Sequence, residues 1–260
     1  MNSWIVHRKP NLEAKLRLFC FPYAGGGASI YKNWADHLPS EVDVCPIQPP
    51  GREGRRGEAP YNSMPPLIEA VTEAILPLLD RPFALFGHCM GAKVAFELAR
   101  YLRQHYYLNP SHLFVSACPA PQLALDGTTY DLPEKTLIDL LRMLSGTLHV
   151  IFSHPALIKL VLPCIRADFE IYDTYSCRPE PSLHSPLTVF GGDTDPIVKV
   201  NHLSSWRELT TSRFNLHVMN GGHFFLHTVQ PAILKVLTGQ LDGVLKSFTQ
   251  PVHEPDRLRN

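Results

Sequence analysis

The chain has 260 residues, 24 Lys and Arg against 24 Asp and Glu, and a formal net charge of zero. That length suits one sizeable α/β domain or two small ones, and the balanced charge supplies no field to draw the protein to nucleic acid or a membrane surface. The first twenty residues hold Arg8, Lys9, Glu13, Lys15 and Arg17 and no long apolar core, so no signal peptide is expected, and no apolar run approaches a membrane span.

Residues 1 to about 14 read as a polar, loosely held lead-in. Leu16 to Phe21 is apolar enough for a buried strand and runs directly into Pro22-Tyr23-Ala24-Gly25-Gly26-Gly27-Ala28. A glycine-rich loop after a first strand can cradle a phosphate or offer backbone N–H groups to an oxyanion. The phosphate use calls for G-x-x-x-x-G-K-[ST] or G-x-G-x-x-G, and neither is present. Tyr31 to Leu38 reads as a short helix ending at Pro39, and Val42 to Ile47 as a second strand. It delivers the chain into Pro49-Pro50-Gly51-Arg52-Glu53-Gly54-Arg55-Arg56-Gly57-Glu58, where glycine, proline and mixed charge favour a solvated surface loop, although its three arginines could meet an acidic partner. Pro65 to Leu79 carries apolar residues at helical spacing.

Phe83 to Phe86 is a short apolar run of the kind buried in parallel sheets. Gly87-His88-Cys89-Met90-Gly91 follows, and then Val94, Ala95, Leu98, Ala99 and Leu102 recur on one helical face. Strand, five-residue turn and helix, with a glycine at each end of the turn, make the shape of a nucleophile elbow. Such elbows mostly carry serine at the centre; here it is Cys89. A thiolate at a helix N-terminus is favoured by the unpaired N–H groups and the dipole, so cysteine is chemically competent there. A buried structural cysteine in a βα turn is the bland alternative. With an elbow downstream, the glycine loop takes the oxyanion reading, and the donors are the N–H groups of Ala24 and Met90.

His112 to Ser116 is another buried strand. The α/β alternation then lapses: residues 120 to about 184 show two helical patterns, Glu134 to Leu144 and Ala156 to Tyr172, the second interrupted by Pro163. A helical insertion at this point fits a lid over an acyl tunnel, or ordinary core packing of two amphipathic helices. Leu187 to Phe190 resumes the sheet and ends in Gly191-Gly192-Asp193-Thr194-Asp195-Pro196. Asp195 is the preferred triad acid; Asp193 is the alternative, suited to holding the turn by local hydrogen bonds. Asn201 to Leu209 reads as a helix and Phe214 to Met219 as the last strand, followed by Asn220-Gly221-Gly222-His223. Among thirteen histidines, His223 stands out because it follows a strand and two glycines and precedes a helix. The order Cys89, Asp195, His223 is the chain order nucleophile, acid, base. His88 points away from the turn and reads as structural. His223 and His227 are spaced for a metal, but no H-E-x-x-H and no third ligand accompany them, so neither metal nor cofactor is expected. Six cysteines without C-x-x-C spacing suit free thiols in a reducing, cytoplasmic setting. Residues after about 247 read as a frayed tail.

The set FCFPYAGGGAS, PPGRE, FGHCMGA, GGDTDP and GGHFFL, in this order from about residue 16 to 242, resembles the type II thioesterases of polyketide and nonribosomal peptide assembly lines, and is similar to the medium-chain fatty-acid thioesterases. The resemblance implies a single α/β-hydrolase domain over residues 1–260, with a mostly parallel central sheet flanked by helices and a helical lid at about 120–184. It implies hydrolysis of acyl thioesters on the phosphopantetheine arm of an acyl or peptidyl carrier protein, in antibiotic biosynthesis, by a monomer that binds neither nucleic acid nor membrane. Carried over residue by residue, it makes Cys89 nucleophile, Asp195 acid, His223 base, and Ala24 and Met90 the oxyanion positions. The family pattern has serine at Cys89 and leucine at Pro49. Because an acyl-cysteine is itself a thioester, two other outcomes are carried along. One is an acyltransferase that passes the acyl group through Cys89 to a non-water acceptor. The other is a carrier-binding protein of low activity, or a serine enzyme whose nucleophile was exchanged to trap an intermediate.

Overall fold

Six runs rich in aromatic and branched residues form one sheet in which every strand pair is parallel: β1 (Leu16–Phe21), β2 (Val42–Pro46), β3 (Phe83–His88), β4 (His112–Ser116), β5 (Leu187–Gly192) and β6 (Phe214–Met219), in the order β2-β1-β3-β4-β5-β6. This is a computed structural model, and it describes residues 3–6, 11–123, 127–145 and 154–249. The first five strands are buried along their whole length, as a sheet covered on both faces requires; β6 is half-exposed because it is an edge.

The other edge is not open. Ile5 bridges antiparallel to Ile47, the Val6 N–H donates to the Pro46 carbonyl at 3.1 Å, and the Gln48 N–H donates to Trp4 at 2.7 Å. The expected loose lead-in is therefore, over the described residues 3–6, a tether beside β2 that occupies part of an otherwise free strand edge.

One face of the sheet is covered by α1 (Met64–Ile75) and α2 (Met90–Tyr106), which bury Leu67, Val71, Val94 and Leu98. The other is covered by Tyr31 and Trp34 and by the last helix. Between β4 and β5 come α3 (Glu134–Ser145) and α4 (Pro155–Thr174), with an apolar cluster of their own made by Leu137, Leu141, Ile158, Leu162, Ile165 and Phe169. Residues 124–126 and 146–153 of the expected insertion, and the expected tail from residue 250 on, lie outside the described residues. Among the described residues the remaining helices are α5 (Val200–Ser204), α6 (Phe225–Thr228) and α7 (Gln230–Thr249), so the tail expected after about 247 is still helical to Thr249. Among the described residues no helix is long and apolar enough to cross a membrane.

Three expected helices come out differently. Tyr31 to Leu38 is two 3₁₀ turns, Ala28–Tyr31 and Trp34–Asp36. Packing overrides propensity here: the two rings stack edge-on, 4.9 Å between centroids, both press on Phe86, and the Tyr31 hydroxyl donates to the Phe21 carbonyl at 2.6 Å. The helix expected to run to Leu79 tightens into a 3₁₀ turn at Leu76–Leu78, where Pro77 offers no N–H. The Asn201 to Leu209 helix is α5 followed by a 3₁₀ turn, Ser205–Leu209. Conversely, Pro163 does not break α4, because the buried side chains on both sides of it pack into one cluster.

β1 leads to β2 on one side and the chain then crosses to β3 on the other, so the topological switch lies between the carboxyl ends of β1 and β3. Loops that leave neighbouring strands in opposite directions open a crevice there. Both special segments of the sequence, the glycine loop after β1 and the elbow after β3, leave from it, with Phe21 in register with Gly87. The elbow closes because two glycines let backbone touch backbone. A Cβ on Gly87 would lie 2.0 Å from the Gly91 carbonyl oxygen, and one on Gly91 would lie 2.3 Å from that of Phe21 and 2.6 Å from that of Pro22. Gly91→Ala is therefore expected to destabilise the fold by more than about 2 kcal/mol. Thermal unfolding of the variant measures it, and a melting temperature equal to the wild type would show that α2 can move off β1 at no cost.

Candidate active site

Cys89 is the N-cap of α2 and is held at φ 54°, ψ −117°, a conformation that costs a non-glycine residue roughly 1–3 kcal/mol. Its N–H donates to the Ser116 carbonyl at 2.8 Å, which ties the turn to the end of β4. The neighbouring Met90 is the first residue of α2, where an N–H has no partner within the helix. The side chain of Cys89 is only partly buried and lines a cavity of about 560 Å³ together with Ala24, His223 and Phe224.

His223 leaves the turn after β6 and is buried. Its Nδ1 lies 2.8 Å from Asp195 Oδ2, and the other carboxylate oxygen accepts from the N–H groups of Ile197 at 2.9 Å and Val198 at 3.1 Å. A carboxylate only accepts, so the proton in this contact sits on Nδ1, and Nε2 is the nitrogen left for the cysteine sulfur. Burial disfavours the charged ring, but the sulfur of Cys89 and the carboxylate of Asp195 outweigh it and raise His223 to about 10. Burial likewise works against the Asp195 carboxylate, and its bond to His223, the charge on that ring and the two amides outweigh it, so its pKa is lowered.

Asp193, the alternative acid, faces elsewhere: its Oδ1 accepts from the Gly221 N–H at 2.8 Å and its own N–H donates to Met219. It holds the β5 and β6 turns together. His88 is buried beneath the site. Its Nε2 lies 3.1 Å from the carbonyl oxygen of His223, which can only accept, so Nε2 carries the proton and Nδ1 accepts from the Ser116 hydroxyl at 2.9 Å. Burial first, then the nearby His223 and His227, keep its pKa far below the usual histidine range. It is a neutral strut for the His223 backbone. The second member of the His223/His227 pair contacts the Tyr23 hydroxyl through Nε2 at 3.0 Å. Among the described residues no group of three or more His, Cys, Asp or Glu side chains is placed to hold a metal. All six cysteines are free thiols.

The cavity is lined both by apolar side chains, Leu140, Leu141, Leu144 and Phe169, and by polar ones, Lys93, Tyr172, Asp173 and Tyr175. Lys93, one turn beyond Cys89 on α2, donates to the Tyr172 carbonyl at 2.8 Å and lies 3.6 Å from the centre of that ring. Sequence reasoning missed Lys93, and it missed Arg52. The loop is largely exposed as expected, at residues 53, 54 and 56–59, but Arg52 on it is buried and pairs with Asp168 of α4. The signal was there in α4, where Asp168 has Cys164, Ile165 and Ile171 one turn away, all apolar and buried; a carboxylate there calls for a buried partner.

This geometry has counterparts among known proteins. The thioesterase domain family matches residues 16–241. The gramicidin S biosynthesis protein GrsT of Aneurinibacillus migulanus is 42% identical over 246 residues, covering 94% of this chain and 96% of that protein. The thioesterase PikA5 of Streptomyces venezuelae is 37% identical over 225 residues, with 86% and 80% covered. Among solved structures, the type II thioesterase BorB from the borrelidin biosynthetic cluster superposes with a TM-score of 0.85 at 37% identity, over 92% of this chain and 97% of that one. The six-stranded parallel sheet flanked by helices is the α/β-hydrolase fold expected from the sequence, and the chain belongs to the thioesterase domain family and is a thioester hydrolase.

Proposed function

We propose that this chain is a type II thioesterase of assembly-line biosynthesis, which releases acyl groups from the phosphopantetheine arm of acyl or peptidyl carrier proteins through a Cys89–His223–Asp195 triad. The observation that carries the reading is the buried His223, held by Asp195 at 2.8 Å on one nitrogen and raised to about 10 by the Cys89 sulfur and that carboxylate, in the wall of the cavity that Cys89 also lines. Similarity to BorB and GrsT, named for biosynthetic clusters, supports the pathway class. The free thiols fit the reducing cytoplasm in which such carriers work. In this reading residues 1–260 are one domain, and α3 and α4 are its lid.

The cycle follows from the atoms. His223 Nε2 takes the proton of Cys89, and the raised pKa lets the ring keep it. The sulfur attacks the thioester carbonyl carbon, and the negative oxygen is met by the N–H groups of Ala24 and Met90. Collapse expels the pantetheine thiolate, which takes the proton from Nε2. Water then gives a proton to Nε2 as it attacks the acyl-cysteine. The second collapse frees the acid and restores the thiol. Asp195 keeps Nδ1 protonated throughout, so Nε2 is always the nitrogen that exchanges protons.

Intact-protein mass spectrometry after mixing with an acyl-pantetheine thioester, with free acid measured in parallel, tests the reading. An adduct on Cys89 that rises and decays while acid accumulates over many turnovers is the expected result. An adduct that persists until an amine, alcohol or thiol is added would make the protein an acyltransferase. Cys89→Ala is expected to abolish turnover with the fold intact, and unchanged turnover would remove Cys89 from the chemistry. Asp195→Asn is expected to lower kcat by about 10²- to 10⁴-fold, because an amide no longer fixes the tautomer, whereas Asp193→Asn keeps turnover close to the wild type.

The pH dependence of stability has a definite sign. A histidine raised from about 6.5 to about 10 on folding contributes stability that is fully present below pH 6.5 and lost as pH rises through 10. Denaturant midpoints at pH 7 and pH 10 should fall further in the wild type than in Cys89→Ala, which lacks the sulfur that helps to raise His223. Parallel losses in the two proteins would show that the sulfur does not act on the ring.

A further inference from the structure

Three positions far apart in sequence converge on the backbone of the glycine loop. The Gly25 N–H donates to Asp168 Oδ2 at 2.7 Å. Arg52 grips the same carboxylate with both terminal nitrogens, at 2.5 and 2.9 Å, and its Nη1 also donates to the Gly26 carbonyl at 3.3 Å. A Cβ on Gly25 would lie 2.6 Å from Cγ1 of Ile165, so α4 touches the loop backbone directly. The side chains of Arg52 and Asp168 are only 6% and 2% exposed.

A buried ion pair is poor evidence of stabilisation. The desolvation of both charges consumes most of the attraction, and apolar residues of similar volume often serve as well or better. Apolar residues cannot, however, accept from the N–H of one glycine while donating to the carbonyl of the next. That is a geometric function. The Gly26 N–H donates back to Tyr23 at 2.9 Å, so Tyr23 to Gly26 is a β-turn with Ala24 second and Gly25 third, at φ 77°. Positive φ at the third residue marks the type II form. In type I the peptide between Ala24 and Gly25 is turned over, and its N–H would leave Asp168.

We propose that Asp168, braced by Arg52, is a positioning residue for the oxyanion hole: by holding the Gly25 N–H and, through Arg52, the Gly26 carbonyl, it anchors the Tyr23–Gly26 turn in the place from which the Ala24 N–H, on the preceding peptide, meets the reacting carbonyl oxygen. The inference rests on Ala24 being an oxyanion donor, as in the function proposed above. It adds that this donor is set from α4, the same helix whose Phe169 and Tyr172 wall the cavity. The acyl-binding wall and the oxyanion donor are thus parts of one rigid piece.

The test separates transition-state from ground-state binding. One ligand is a trifluoromethyl ketone bearing the acyl chain: the Cys89 sulfur adds to its carbonyl carbon, the thiol proton passes to His223, and an oxygen anion is left where the intermediate's would be. The other is the matching pantetheine thioether, which has no carbonyl. The proteins are wild type, Asp168→Leu, and Arg52→Met/Asp168→Leu, the last leaving no unpaired buried charge and so keeping the fold if the single variant does not. Both variants should lose about 10²-fold in kcat and in ketone affinity while thioether affinity stays near the wild-type value. Undiminished ketone affinity, or equal losses for both ligands, would overturn the positioning role and leave the triad reading standing. A wild type that binds the ketone no tighter than the thioether would overturn the oxyanion assignment itself, and this proposal with it.

Discussion

The site exists because the first turn of α2 lies directly on the end of β1 with no side chain between them. At Gly91 a methyl group would stand 2.3 Å from the Phe21 carbonyl oxygen, and at Gly87 one would stand 2.0 Å from Gly91 itself. Two glycines therefore decide how closely helix and strand approach. That approach brings the loop after β1 and the N-terminus of α2 to the same crevice, and it forces Cys89 into a conformation an ordinary residue avoids. The strain is held by many contacts around it: the Cys89 N–H on β4, the strand register on both sides, and the apolar packing of α2 over the sheet.

Around that constraint the electrostatics are arranged in a line. Asp195 is fixed by two amides before it meets His223, so its carboxylate has one orientation to offer. His223 is held from the other side through its own carbonyl by His88, whose low pKa keeps it neutral and out of the proton traffic. Two buried histidines a few ångströms apart thus take different roles for a physical reason: one faces a carboxylate and a sulfur, the other a hydroxyl and a carbonyl. In the proposed cycle, where Cys89 is the nucleophile, the acyl-enzyme would be a thioester of nearly the same energy as the substrate. Acylation then gains little driving force, and the outcome rests on how readily water reaches His223 compared with the returning thiol.

Much of this was legible in the chain. All six strands could be read from short apolar runs, and the elbow from two glycines around Cys89, because those signals are local. The preference for Asp195 over Asp193 rested on position alone; in the structure Asp195 bonds His223 and Asp193 bonds the Gly221 N–H. What the sequence hid was long-range. Arg52 looks like a loop arginine until α4 folds against it, 116 residues later. Tyr31 and Trp34 look like part of a helix until Phe86 lies beneath them. Pro163 looks like a helix breaker until both halves of α4 are seen to share one apolar cluster. Lys93 looks like an ordinary helix-surface lysine until the end of α4 closes over it.

Those long-range contacts also decide which wall of the cavity is fixed. α4 is pinned at its centre by Asp168 to Arg52 and Gly25, and near its end by Lys93 to the Tyr172 carbonyl, one of the last acceptors of the helix and a favourable place for a cation. Arg166 adds bonds to the carbonyls of Tyr130 and Leu132, which lead into α3. Making room for a larger acyl group by shifting α4 would strip a buried charge of its partner and disturb the Ala24 turn. α3 meets the cavity through Leu140, Leu141 and Leu144, aliphatic side chains that can repack without breaking a polar bond. The physical asymmetry makes α4 the wall of the cavity held by polar bonds and α3 the wall held by apolar packing.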